Sequence, residues 1–207
     1  MGGNIVQKNI VQKNIVRTKQ LASEQISLEK RYGNTYVNDV FKDNILLNIL
    51  YLAGKITNKE DINWKEVEKP MDYKFTLLPN KTFAFHDDVL DKYKNSVVKT
   101  TNANFNSADG FKSDGYLTGD GVCHLASLIY WASQSAGLDA YAPTAHDFAV
   151  IPEIDRKFGV SIYKGPGKST SNEMQNLYVT NNKDKPIVFN FTYKDSELKL
   201  SIYEEVL

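Results

Sequence analysis

The chain has 207 residues, and 25 Lys+Arg balance 25 Asp+Glu. That length holds one domain with a full core, or one domain and an arm, and leaves too little for two independent domains. Zero net charge with no basic stretch among aromatics removes the electrostatic case for nucleic-acid binding. No apolar run reaches the roughly 18 residues of a bilayer span, and a single cysteine excludes an internal disulfide.

The chain opens on a repeat: Asn4-Ile5-Val6-Gln7-Lys8, the same five residues again, then Asn14-Ile15-Val16-Arg17-Thr18. A period of five matches neither a helix nor a strand, so the apolar pairs share no face to bury. Residues 1–20 are therefore expected to form a flexible low-complexity arm, 21–42 a helical lead-in and 43–207 the main domain. Val37, Val40, Phe41, Ile45, Ile49 and Leu52 fall at helical spacing and predict an amphipathic helix over 36–52, ended by Gly54. Tyr73 to Leu78 reads as a strand, and Pro79-Asn80 turns the chain into a second one at Thr82 to Phe85.

Residues 95–121 are rich in Asn, Ser, Asp and Gly and read as a long irregular loop. Val122 to Ala136 is apolar on nearly every side, which predicts a buried helix, and Gly137 is its stop. Strands are expected at 148–151, 159–163, 177–180, 187–193 and 198–203, with turns at Gly165-Pro166-Gly167, Asn181-Asn182 and Lys194-Asp195-Ser196. A helix followed by antiparallel strands gives an α+β class: a buried central helix with a cysteine at its N-terminus, packed on an antiparallel sheet. Papain-like and transglutaminase-like enzymes share that arrangement, an analogy of architecture.

Cys123 stands where the turn Gly119-Asp120-Gly121 runs into this helix. Free N–H groups and the helix dipole there favour a thiolate, and Asp120, a candidate cap for the Cys123 N–H, opposes it. The expected balance is a depressed thiol pKa. His146, on the segment that returns after Gly137, is the candidate base. The competing reading makes Cys123 a small buried hydrophobe. Ser127, one turn along, either bonds within the cleft or back-bonds its own helix. His86, Cys123, His124 and His146 could make up a zinc set, but Cys123 and His124 project about 100° apart on a helix. No metal or other cofactor is expected.

Taken together, Gly119-Asp120-Gly121-Val122-Cys123-His124-Leu125-Ala126-Ser127-Leu128-Ile129-Tyr130 resembles the G-G-G-I/V-C-Q-x-S-x-x-L-Y signature of the VanW-like family. Leu78 to Phe85 is similar to that family's L-x-P-G-x-x-F-S-F, Ala145-His146-Asp147 to its N/P-H-S, and Asn176 to Ile187 to its D-L-x-F/I-x-N-x-T/S-x-x-P-I/V. The resemblance covers roughly 43–205 and makes 43–207 a VanW-like domain. It implies cysteine-dependent acyl transfer on peptidoglycan stem peptides, of the L,D-transpeptidase kind or with water as acceptor. Cys123 and His146 would be catalytic. The alternative is a non-catalytic envelope module that binds peptidoglycan or a partner protein. A cell-envelope or extracellular location follows from the resemblance, and because no signal peptide is visible the beginning is expected to be incomplete.

Four positions depart from the family pattern. The glutamine after the cysteine is His124 and the asparagine closing F-S-F-N is His86, so an imidazole would replace an amide donor to an oxyanion. The acidic position near Gly159 is lost, and the later aspartate is Asn176, the candidate to orient His146.

Overall fold

The computed structural model describes residues 17–206 apart from Leu117 and Phe148, so most of the five-residue repeat lies outside the described residues. In chain order the regular elements are β1 (Arg17–Ser27), α1 (Thr35–Leu52), α2 (Trp64–Val67), β2 (Met71–Leu77), β3 (Thr82–Ala84) and β4 (Val97–Lys99). They continue with α3 (Val122–Ser135), β5 (Asp139–Tyr141), α4 (Thr170–Met174), β6 (Tyr178–Thr180), β7 (Ile187–Lys194) and β8 (Glu197–Val206). One sheet has the order β1-β8-β7-β2 and is antiparallel throughout. The other, β4-β3-β6-β5, carries one parallel pair, β3 with β4. The class is α+β, and α3 packs on the antiparallel sheet at β1 and β8, with α1 and β5 on its other sides.

Alternation builds the first sheet. Ile187, Phe189, Phe191 and Tyr193 of β7 face the core while their neighbours face outward, the period-2 pattern of a half-buried strand. Phe189 stacks on Phe75 of β2 with ring centroids 4.7 Å apart. Asp195 and Ser196 both take positive φ in the tight turn that reverses β7 into β8. One apolar cluster runs from this sheet through α3 and α1.

The N-terminal expectation needs correction. Residues 17–27 form neither an arm nor a helix; they are β1, paired along its length with β8 from Arg17–Val206 to Ser27–Glu197. The pattern hid this because only Ala22, Ile26 and Ser27 of the strand are buried, while Arg17 to Gln20 are exposed and held by the ladder alone. The boundary at residue 43 likewise falls inside α1.

α1 is also more deeply placed than an amphipathic helix. Ile45, Leu46, Leu47, Ile49 and Leu52 have no exposed surface, and neither has Asn44. The polar side of α1 is covered by the long loop, whose backbone it satisfies. Asn44 donates to the carbonyls of Lys112 (3.0 Å) and Asp120 (2.8 Å) and accepts the Lys112 N–H (2.8 Å). Tyr51 donates to the Asp109 carbonyl at 2.9 Å. The loop over 95–121 is thus irregular as expected, apart from β4 and a 3-10 turn at Ser107–Asp109, and α1 fixes its course into α3.

Strands expected at 148–151 and 159–163 are absent among the described residues; the chain there makes one bridge, Ala145 with Val160. Ile151 and Val160 are buried, so apolar content without sustained pairing produced the strand reading.

Candidate functional site

Gly121 caps α3 from the left-handed region, at φ 95°. A Cβ there would stand 2.8 Å from the Phe41 carbonyl oxygen, so the turn requires glycine. Asp120 does not cap the helix. Its carboxylate accepts the Asp114 N–H at 3.0 Å and closes the preceding loop. The Val122 N–H is taken by the Gly119 carbonyl at 3.1 Å, and the N–H groups of Cys123 and His124 are the helix-start donors next in line.

A short antiparallel crossing lies over this helix start. His146 N–H bonds to the Gly159 carbonyl (3.0 Å) and Ser161 N–H to that of Thr144 (3.0 Å). The crossing is stapled to α3 by Ser127, which donates to the Cys123 carbonyl at 2.7 Å and accepts the Val160 N–H at 2.9 Å. Of the two roles open to Ser127, a bond within the cleft and a back-bond to its own helix, the structure contains the back-bond; its other bond is to the buried Val160 backbone, and Ser127 is not part of the cleft lining. Two residues on, the Ile162 N–H points at Cys123 Sγ (3.4 Å).

Cys123, His124 and His146 all line one cleft of about 830 Å3. Its walls are Tyr32 and Phe41 from the N-terminal segment, Phe105 and Gly119–Gly121 from the long loop, and 162–168 opposite. Lys164, largely buried, pairs with Asp87 at the rim. The turn Gly165-Pro166-Gly167 is held by Asn172, which donates to the Gly167 carbonyl (2.9 Å) and to Asp88 (2.7 Å) and accepts the Gly165 N–H (3.0 Å).

The electrostatics reverse one expectation. Burial pushes the Cys123 thiol up to about 11; Asp120 adds to the shift and the hydrogen bond with Ile162 opposes it. Desolvation disfavours the anion more than a helix start stabilises it, so the resting group is a neutral thiol and not the low-pKa thiolate that the sequence predicts. Burial lowers the pKa of His146, with a hydrogen bond to the Ala149 backbone working against the shift. His124 is pushed well below the ordinary histidine range by burial, then by Arg31 and His146. Its ring lies against Phe41 (centroids 4.8 Å) and 6.4 Å from the His146 ring.

His86 and Asn176 are bound to each other away from the cleft lining. Asn176 donates to His86 Nδ1 (3.3 Å), the His86 carbonyl (3.1 Å) and the Asp88 carbonyl (2.9 Å), while its oxygen accepts the N–H groups of His86 and Leu177. His86 Nε2 meets the Gln175 carbonyl at 3.1 Å. Every polar atom of the Asn176 amide is engaged in joining two loops. Its partners are on the loops and not on His146.

A family model described as VanW like protein matches residues 70–203, more than half of the chain. The chain belongs to the VanW-like family. Membership suggests a cell-wall-related role and a cell-envelope context. No curated protein and no solved structure matches the chain. Among the described residues no helix is long and apolar enough to cross a membrane. β1, α1 and the cleft residues Tyr32 and Phe41 lie outside the VanW-like match. They were missed as site residues because nothing in their spacing separates a cleft wall from a core face.

Proposed function

We propose that this VanW-like chain is a cysteine acyltransferase acting on peptidoglycan stem peptides. The observation that carries the reading is the shared cleft, with Cys123 at the start of α3 and His146 on the crossing above it. The neutral thiol and neutral imidazole favour attack with concerted proton transfer over a preformed ion pair. Cys123 Sγ bonds to a peptide carbonyl carbon of the donor stem while its proton passes to His146. The developing oxyanion takes helix-start N–H groups and a His124 N–H. As the C–N bond breaks, His146 returns the proton to the leaving amine and a thioester remains. An amine of a second stem then bonds to the thioester carbonyl carbon and gives its proton to His146, the C–S bond breaks, and the departing Cys123 sulfur takes that proton back as the cross-link is released; water in place of the amine makes the enzyme a peptidase. The catalytic unit includes residues 17–42, because Tyr32 and Phe41 are part of the cleft wall.

A non-catalytic envelope module is the second reading, favoured by two observations: the raised thiol pKa and the Ile162 contact suit a cysteine that fills space. Turnover of purified muropeptides, followed by chromatography and mass spectrometry, separates the two. The enzyme reading predicts product with the wild type, none with Cys123→Ala, and a loss of about 100- to 10,000-fold with His146→Ala. Muropeptides that bind and are recovered unchanged would support the module.

A further inference from the structure

We infer that Lys164 is a specificity-determining residue of the cleft that binds a free carboxylate of the ligand, and that Asp87, its partner in the fold, is the group this carboxylate displaces. Lys164 and Asp87 both line the cleft. The Lys164 side chain is 13% exposed and that of Asp87 63%, so the cation is the buried member of the pair and the carboxylate the solvent-facing, replaceable one. A pair with one exposed partner contributes little to stability. An ammonium has three donor hydrogens, and among the described residues that of Lys164 has one hydrogen-bond partner, an Asp87 oxygen. Its place along the wall ties it to the thiol. The Ile162 N–H stands 3.4 Å from Cys123 Sγ, and Lys164 follows two residues on, at most about 7 Å of chain. A carboxylate held by Lys164 is therefore within a few residues of a carbonyl held at Cys123.

The backbone on both sides of Asp87 is fixed. Asn176 donates to the carbonyls of His86 (3.1 Å) and Asp88 (2.9 Å), and the buried Asp88 carboxylate accepts from Asn172 at 2.7 Å. Asn172, also buried, holds the 165–167 turn beside Lys164 through Gly165 and Gly167. Exchange of one carboxylate for another thus needs only a rotation of the Asp87 side chain against a preorganised wall. The charge of that wall suits an anion. Residues 162–168 carry two cations, Lys164 and the exposed Lys168, and no carboxylate, and Lys168 has no ion pair among the described residues. The cleft's remaining carboxylates are engaged elsewhere, Asp88 by Asn172 and Asp120 by the Asp114 N–H. That the ligand carboxylate belongs to a stem peptide rests on the acyltransferase reading. Stem peptides offer two candidates, the α-carboxylate of the second residue and the side-chain carboxylate of a third-position diamino acid.

The test is titration calorimetry of the full chain carrying Cys123→Ala, so that no ligand is consumed, with synthetic stem peptides in which these two carboxylates are free or amidated one at a time. Amidation of one of them is expected to weaken binding about 10- to 100-fold, the worth of a charge-assisted hydrogen bond, and which one it is identifies the group bound. Adding Lys164→Met should abolish that preference and Lys164→Arg should keep it. Adding Asp87→Asn, which removes the internal competitor, should tighten binding of the free-carboxylate stem and leave the amidated stem no tighter. Equal binding of free and amidated stems would overturn the inference, as would a preference that survives in a folded Lys164→Met, or Asp87→Asn binding the free stem no better. If Lys164→Met does not fold, the parent and Asp87→Asn titrations still decide. A preference of this kind with no turnover by the wild type would refute the acyltransferase reading alone. Turnover of free and amidated stems with equal kcat/KM would refute the carboxylate subsite alone, and neither binding nor turnover of any stem would refute both.

Discussion

Replacing Ser127 with alanine tests whether the crossing that carries His146 is held by one hydroxyl. Ser127 Oγ has no exposed surface and makes two bonds, to the Cys123 carbonyl and from the Val160 N–H. The first loss is small, since a carbonyl inside α3 keeps its helical donor. The second leaves the Val160 N–H buried with no acceptor, a penalty of about 1–3 kcal/mol. In a chain of this size that corresponds to a fall in Tm of about 2–12 °C. Ser135→Ala, at the exposed end of the same helix, is the control and should stay within about 0.5 kcal/mol of wild type. Urea unfolding with a constant slope gives the difference directly. A Ser127→Ala protein as stable as the control would mean that the crossing is held by something other than this hydroxyl.

Gly121→Ala should destabilise by about 1–2 kcal/mol from the left-handed backbone alone, with the Phe41 carbonyl adding to it. Gly33→Ala, where a new Cβ meets nothing, should be close to neutral in the same urea series. Iodoacetamide alkylation of Cys123 should have a midpoint above the ordinary thiol value of 9.0, and Asp120→Asn should bring it down; an unchanged or higher midpoint in that variant would remove Asp120 from the account. His124 has a folded-state pKa below its unfolded value of 6.5, so its neutral form contributes stability above that pH that is lost as pH falls toward the folded value. Measured as urea midpoints from neutral pH downward, the acid loss should be shallower in His124→Gln than in wild type, and equal slopes would contradict the assignment.

Much of this architecture can be read from the chain. The apolar run after Gly121 dictates α3, the period-2 pattern of 187–193 dictates β7, and Asp195-Ser196 marks the reversal into β8. β1 escapes because an edge strand needs few buried side chains when its backbone is satisfied by a neighbour. The site is legible in part for a related reason. Motif spacing brings Cys123, His124 and His146 to one cleft, whereas the electrostatic balance at the thiol depends on how much protein surrounds it, which no spacing reports. His86 and Asn176 illustrate the same limit. Their residue types suit a catalytic amide and imidazole, and their partners make them a joint between two loops.

The proposed acyl transfer requires a covalent bond between Cys123 and its substrate. Intact-mass spectrometry of the wild-type chain after mixing with muropeptides, quenched in acid within the first turnovers, reads that bond directly. The expected result is a mass increase equal to the donor stem minus its leaving group, mapped to the peptide containing Cys123 and absent from Cys123→Ala. Muropeptides consumed by the wild type and by Cys123→Ala alike, or a wild type that binds muropeptides and never gains the acyl mass, would contradict it.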